Sequence, residues 1–381
     1  MLALRLTLGT GPLALLRRLL VTVASAGVGL LLLSSLGHAL AHPGDPAPAL
    51  LRLAWCAIPL AAVAQLAVAV ARTDPATRPR DGLDAFGLGP ARLALLAATS
   101  IAPAALLGSG LALLVFLQLR GDLVLPSAGG TIARALGAGA PLPLGGVLLL
   151  LTLAPLVTTG ATALALRSRR CGPSAEREPE PPPGGLPWGC ALVTAGLAIG
   201  TFAAMDERGT AVRLPGAFGS DRAGVLVGWA LTALGLACAG PALTRFCGRL
   251  LQSVRPGAVR LLAGRILMAE ARRVGRPLGV VAAVASAAIT AWALYGTGPR
   301  PFGPLTGLGA GLVIACTTAT LLTSAIEARQ DRVALVGQLR GLGAPAAPLR
   351  LAALLRVGTL LLVFTPVIWA VGMLAAMPGA G

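Results

Sequence analysis

The sequence predicts an all-α polytopic membrane protein of about nine transmembrane helices arranged in two related halves. Two observations carry that reading. First, the chain is 56 % hydrophobic and only 12 % charged, and its apolar residues fall in runs mostly 18 or more residues long. Runs of that length cross the ~30 Å hydrocarbon core as helices, which satisfy every backbone polar group internally. Second, all 31 basic residues are arginine, and nearly all of them lie between those runs.

The runs place spans at about 19–40, 51–71, 93–117, 145–166, 187–204, 223–244, 278–296, 305–326 and 352–377. With the N-terminus in the cytoplasm, 24 of the 31 arginines fall on the inner side. Arg5, Arg17 and Arg18 precede the first span, and Arg245 to Arg276 fill the longest inner loop. The seven outer ones are Arg52, Arg120, Arg134, Arg208, Arg213, Arg222 and Arg300. This arginine bias sets the expected orientation, with the C-terminus outside and the cell membrane as the location.

A net charge of +17 raises nucleic acid as a partner, but the charge is spread over alternate loops and aromatics make up only 3 %. That pattern lacks a basic face with stacking side chains. Attraction to anionic membrane lipid accounts for it instead. Residues 1–40 resemble a signal peptide in having Arg17 and Arg18, an apolar core, and then Ala39 and Ala41. The long lead before the core and the eight further spans favour an uncleaved first helix. Cys56, Cys190, Cys238 and Cys316 fall within spans, and Cys171 and Cys247 in inner loops. No spacing suits zinc or an outer disulfide, so apolar filler is the expectation.

The stretch Arg167 to Leu186, RSRRCGPSAEREPEPPPGGL, is charged and rich in proline and glycine, and reads as a cytoplasmic linker. It separates residues 1–166, with four spans, from 187–260, with two connecting spans and a basic inner loop, and 261–381, with three spans. The halves echo one another. Basic amphipathic stretches run into spans at 2–26 and 261–286. Charged inner loops, Arg72 to Ala97 and Glu327 to Leu355, each carry Gly-Leu-Gly (Gly87–Gly89 and Gly341–Gly343) with Arg92 or Arg350 following. Parallel repeats of this kind occur in transporters.

The chemistry the sequence lacks narrows the function. No acid lies deep in a span, though Glu327 sits at a helix end, which argues against ion-coupled transport. His38 and His42 are the only histidines and suit an interface better than a metal pair. A Walker loop needs a lysine, and the chain has none. No nucleophile elbow accompanies the histidines. No catalytic site, metal or cofactor is therefore expected, and any ATP hydrolysis belongs to a partner.

In Arg329 to Leu342, Val333, Leu335, Val336, Leu339 and Leu342 can share an apolar side of a short helix, with Arg329, Arg332 and Arg340 facing polar surroundings. Gly341 and Gly343 can end it, and Pro345 and Pro348 oppose continuation into the next span. Periodicity alone fits both a helix lying on lipid and a helix seated in a protein groove.

The order of basic lead-in, two spans, charged short helix ending Leu339-Arg340-Gly341-Leu342-Gly343-Ala344, and a further span resembles the FtsX-like (MacB-type) permeases of ABC transporters. The lead-ins Leu4–Arg18 and Ala263–Pro277 and a degraded N-terminal copy at Asp81 to Leu96 extend the resemblance over about half the chain. It implies short cytoplasmic coupling helices that sit in a separate P-loop ATPase. By resemblance that role falls to Arg332, Val333, Leu335, Val336, Leu339, Arg340, Leu342 and Gly343, and in the N-terminal copy to Leu83, Phe86 and Leu88. The implied function is a permease subunit for export or mechanical transmission of a lipid or amphipathic compound, pairing with itself or with a second permease. The alternative is a membrane sensor or scaffold that keeps the permease fold.

Two departures stand beside the resemblance. Two-repeat members of the family have ten spans against nine here, and members that drive periplasmic machinery carry a large outer domain, whereas the longest outer loop here is about 119–144. Gly196/Gly200 and Gly307/Gly311 form GxxxG pairs that could serve dimerisation. Pro103, Pro155 and Pro366 lie inside spans.

Overall fold

The computed structural model describes residues 12–41, 46–73, 90–122, 141–170, 185–205, 211–213, 220–253, 257–295, 304–341 and 346–377. Among these residues eleven helices follow one another: α1 (Pro12–Ala41), α2 (Pro46–Trp55), α3 (Ala57–Thr73), α4 (Pro90–Arg120), α5 (Leu144–Arg170), α6 (Gly185–Met205), α7 (Ala223–Ser253), α8 (Ala258–Ala269), α9 (Ala271–Tyr295), α10 (Pro304–Gly341) and α11 (Ala346–Ala376). Between α6 and α7 lies a small antiparallel ribbon, β1 (Ala211–Arg213) on β2 (Ser220–Arg222), with Val212 opposite Asp221. Among the described residues nine helical segments are long and apolar enough to cross a membrane, and each falls on one expected span. The protein is an all-α, multi-pass membrane protein.

Span ends depart from expectation where apolarity stops but helix propensity does not. The sixth span continues through Arg245 and Arg249 to Ser253, because no proline interrupts the chain there after Pro241. Cys247 therefore lies on α7, fully buried, and not in an inner loop. The longest expected inner loop is largely helical. It holds α8, and the Glu270 carbonyl then accepts the N–H groups of Arg273 and Val274, both at 3.0 Å, to start α9. The second span is two helices, α2 and α3, meeting at Cys56. Pro59 has no N–H to give the Trp55 carbonyl, which weakens the ladder at that point.

The described elements divide into two compact units. The first contains α1 to α5 and α10 as far as Thr320, and the second contains α6 to α9, the ribbon, α10 from Leu321 onward and α11.

In the first unit Val21, Val28 and Leu32 of α1, Val63, Leu66 and Val70 of α3, Ile101 of α4, Ala154 of α5 and Cys316 of α10 make one core. Small residues set its spacing. A side chain on Gly108 would strike the Thr22 carbonyl, and one on Gly29 would come 2.7 Å from the Ala112 methyl. At the end of α4, Gly121 adopts φ 87°. Its N–H bonds to the Gln118 carbonyl at 3.2 Å, and the Asp122 N–H bonds to that of Leu117 at 3.1 Å. This is a Schellman stop that a left-handed glycine permits. The Asp122 carboxylate then meets the Arg120 guanidinium at 3.1 Å.

In the second unit α6 and α7 touch backbone to backbone. A Cβ on Gly196 would lie 2.6 Å from the Thr232 nitrogen, and one on Gly228 would lie 2.6 Å from the Gly196 oxygen and 2.8 Å from the Gly200 Cα. The fifth-span GxxxG is thus occupied within the chain and is not available for dimerisation. A Cβ on Gly307 or Gly311, by contrast, would meet nothing within 4 Å among the described residues. Hydrogen bonds link α11 to α9 and α7. The Thr290 hydroxyl donates to the Gly372 carbonyl at 2.9 Å, and the Trp229 indole to that of Ala375 at 3.2 Å.

Substitution of Gly228 by valine forces backbones apart and should destabilise by ~1–3 kcal/mol or more. The same change at Gly311 should stay within ~0.5 kcal/mol. Thermal midpoints of the two purified variants in one detergent check the contrast.

Candidate functional site

The site singled out by sequence lies on α10. This helix has 38 residues, about 57 Å at ~1.5 Å per residue, nearly twice the ~30 Å hydrocarbon core. Its membrane-compatible part is Leu305–Gln330, and residues 331–341 continue as helix beyond it. From Leu321 to Arg340 the chain has no proline and one glycine, Gly337, among strong helix formers such as alanine, leucine, glutamine, glutamate and arginine. The helix stops at Gly341, just before Gly343 and Pro345. The expected separate short helix is therefore the projecting arm of the eighth span, because nothing between Gln330 and Val333 breaks the ladder.

Arg332, Val333, Leu335, Val336, Leu339 and Arg340 all lie on this arm; their side chains, along with Leu342 and Gly343 entirely, are outside the described residues. So are Leu83, Phe86 and Leu88, and with them the N-terminal copy. Helical continuity fixes the register of the arm. Positions 332, 335, 336 and 339 are spaced i, i+3, i+4, i+7 and share one face, and 329 and 340, three before 332 and four after 336, lie along its edge.

At the base of the arm Glu327 is the only carboxylate within the nine candidate spans. One of its oxygens stands 3.9 Å from Nη2 of Arg273 on α9. The Glu327 side chain is 17 % exposed and that of Arg273 43 %. An ion pair this open contributes at most ~1 kcal/mol, so it orients α10 against α9 more than it stabilises. Next to Glu327, Ala328 is buried, while Arg329 and Gln330 are exposed.

The second basic feature is α8. Ala263, Gly264 and Leu267 are buried, and Gly264 lies so close to α7 that a Cβ there would approach the Gly248 oxygen at 2.7 Å. Leu261, Leu262 and Arg265 remain exposed. The sequence signalled a basic amphipathic lead-in here, but not its break at Glu270 or the pairing of Arg273 with Glu327. Among the described residues no cluster of three histidine, cysteine or acidic side chains could hold a metal ion. Buried Cys247 and Cys316 sit within the two largest apolar cores.

No family model, curated protein or solved structure matches the chain.

Spin labels at Leu322→Cys and Gly337→Cys should report one narrow distance distribution centred near the ~22 Å rise of fifteen helical residues. A broad distribution, or one well short of that, would mean a hinge between span and arm.

Proposed function

We propose that the protein is the membrane-spanning permease subunit of an ABC-type transporter, and that the arm of α10 is the element that engages a separate P-loop ATPase. The observation that carries this reading is the direct passage of a membrane-spanning helix into a basic, leucine-bearing arm, residues 331–341, with no joint between them. A helix so built transmits tilt or displacement from a soluble partner into the bilayer. The segment Leu339 to Ala344 and its surroundings resemble the coupling region of FtsX-like permeases, which supports the same assignment. The chain itself lacks the lysine that a Walker loop requires, so the nucleotide chemistry belongs to the partner.

On this reading the protein resides in the cell membrane with its N-terminus and the arm in the cytoplasm, following the arginine distribution. Long apolar flanks with few ionisable groups in the spans favour a lipid or amphipathic compound as what is moved or acted upon. The same flanks could seat a second copy or a second permease.

Leu339→Asp tests the assignment. A carboxylate buried without a partner in a protein groove costs ~3–5 kcal/mol, so ATPase association should weaken more than a hundredfold. Membrane insertion should be unchanged, because the position lies past the apolar part of α10. Co-purification with the ATPase measures association, and recovery of the variant in the alkaline-washed membrane fraction measures insertion. Wild-type association with normal insertion would remove the arm from the interface and leave a sensor or scaffold as the better reading.

A further inference from the structure

Arg17 belongs to neither the arm nor the basic helix α8. It lies on the third residue of the first candidate span, Leu15–Ala41, and is only 9 % exposed. Its Nη1 donates to the carbonyl of Thr73 at 3.3 Å. Thr73 ends both α3 and the second candidate span, Leu50–Thr73. Two spans thus independently put this guanidinium at headgroup depth. The contact also sets a cation against the negative end of α3.

One bond does not satisfy a guanidinium, which has five donors in a rigid fork. Nη2 of Arg17 is buried and has no acceptor among the described residues. Arg72 adjoins Thr73, Arg18 follows Arg17, and both are partly exposed. Beside Arg17, α1 carries an apolar rail leading into the membrane, with Leu16 54 %, Leu19 58 % and Val23 54 % exposed.

We propose that this end of the first unit binds the phosphate of an anionic lipid headgroup, with Arg17 as the buried contact and the Leu16–Leu19–Val23 rail against the acyl chain. Planar forked donors match phosphate oxygens, and anionic headgroups are the abundant anions at this depth. The rail distinguishes an amphiphile from free phosphate, which would gain nothing from it. The site is independent of the arm of α10 and of any ATPase.

The test compares thermal midpoints of the full chain in nanodiscs of phosphatidylcholine alone, of phosphatidylcholine mixed with phosphatidylglycerol, and of phosphatidylcholine with added inorganic phosphate. Wild type should be stabilised by phosphatidylglycerol and not by inorganic phosphate. Arg17→Gln should lose that lipid-dependent shift, with about tenfold weaker retention of phosphatidylglycerol by native mass spectrometry. Arg17→Lys keeps the charge at the end of α3 but not the fork, so it should fold and lose most of the discrimination, which covers the case in which Arg17→Gln does not fold. Asp74 adjoins Thr73 in the chain, and Asp74→Asn should leave the lipid shift unchanged. Three results would each overturn the proposal: an Arg17→Gln midpoint lowered equally in all lipids, which marks a helix cap alone; a wild-type shift reproduced by inorganic phosphate; or a lipid shift equal in wild type and Arg17→Lys.

Discussion

The constraint on which this structure depends is the absence of water from the hydrocarbon layer. A polar group there must find its partner inside the protein, and the cheapest partner is the preceding turn of its own helix. Most buried hydroxyls among the described residues obey this, Ser25 and Ser109 being the exceptions. Ser35 bonds to the Leu32 carbonyl at 2.7 Å, Thr158 to Ala154 at 2.8 Å, Thr244 to Gly240 at 2.8 Å and Thr320 to Cys316 at 2.7 Å. Such bonds do not join helices. Association therefore falls to close contact, which explains why glycine and alanine occupy the crossings. Gly196, Gly228 and Thr232 between α6 and α7, and Gly29, Gly108 and Ala112 between α1 and α4, let backbones touch. Where a hydroxyl does reach another helix, as Thr290 reaches Gly372, it does so at such a small-residue contact.

The same constraint gives α10 its character. Inside the membrane its buried side carries Cys316, Thr317, Thr320 and Thr323, and Glu327 follows with its Arg273 partner. Past Gln330 the demand for apolar residues ends, but helix propensity persists to Gly341. A joint there would cost helical hydrogen bonds without gaining packing. On the proposed function that continuity is the useful property, because displacement of the arm is carried by the helix itself and needs no loop to relay it.

Much of the architecture was legible in the sequence because hydrocarbon thickness imposes a length on apolar runs. Span existence and order follow from that alone. Span ends were less legible, since a helix does not stop where apolarity stops. Arg245, Arg249 and Cys247 on α7, and Arg332 to Arg340 on α10, were assigned to loops or to a separate helix for that reason. Pro103, Pro155 and Pro366 were expected inside helices and are there, but so are Pro241 and Pro277. The partner of a GxxxG cannot be read locally; Gly196 meets Gly228 of the next helix, whereas Gly307 faces open space. For the candidate site, the continuity of the segment with the eighth span was not legible, because the change from apolar to charged residues past Gln330 is not a helix stop. The pairing of Arg17 with Thr73 joins positions 56 residues apart, and no local signal announces it.

The central claim is that the arm of α10 meets a soluble ATPase rather than lipid. Site-specific photocrosslinking from positions 335 and 339, which share one face of the arm, addresses it in native membranes. The account predicts a protein adduct from both positions to a P-loop ATPase, with a yield that changes when ATP is replaced by ADP. Adducts to lipid alone, unaffected by nucleotide, would contradict it.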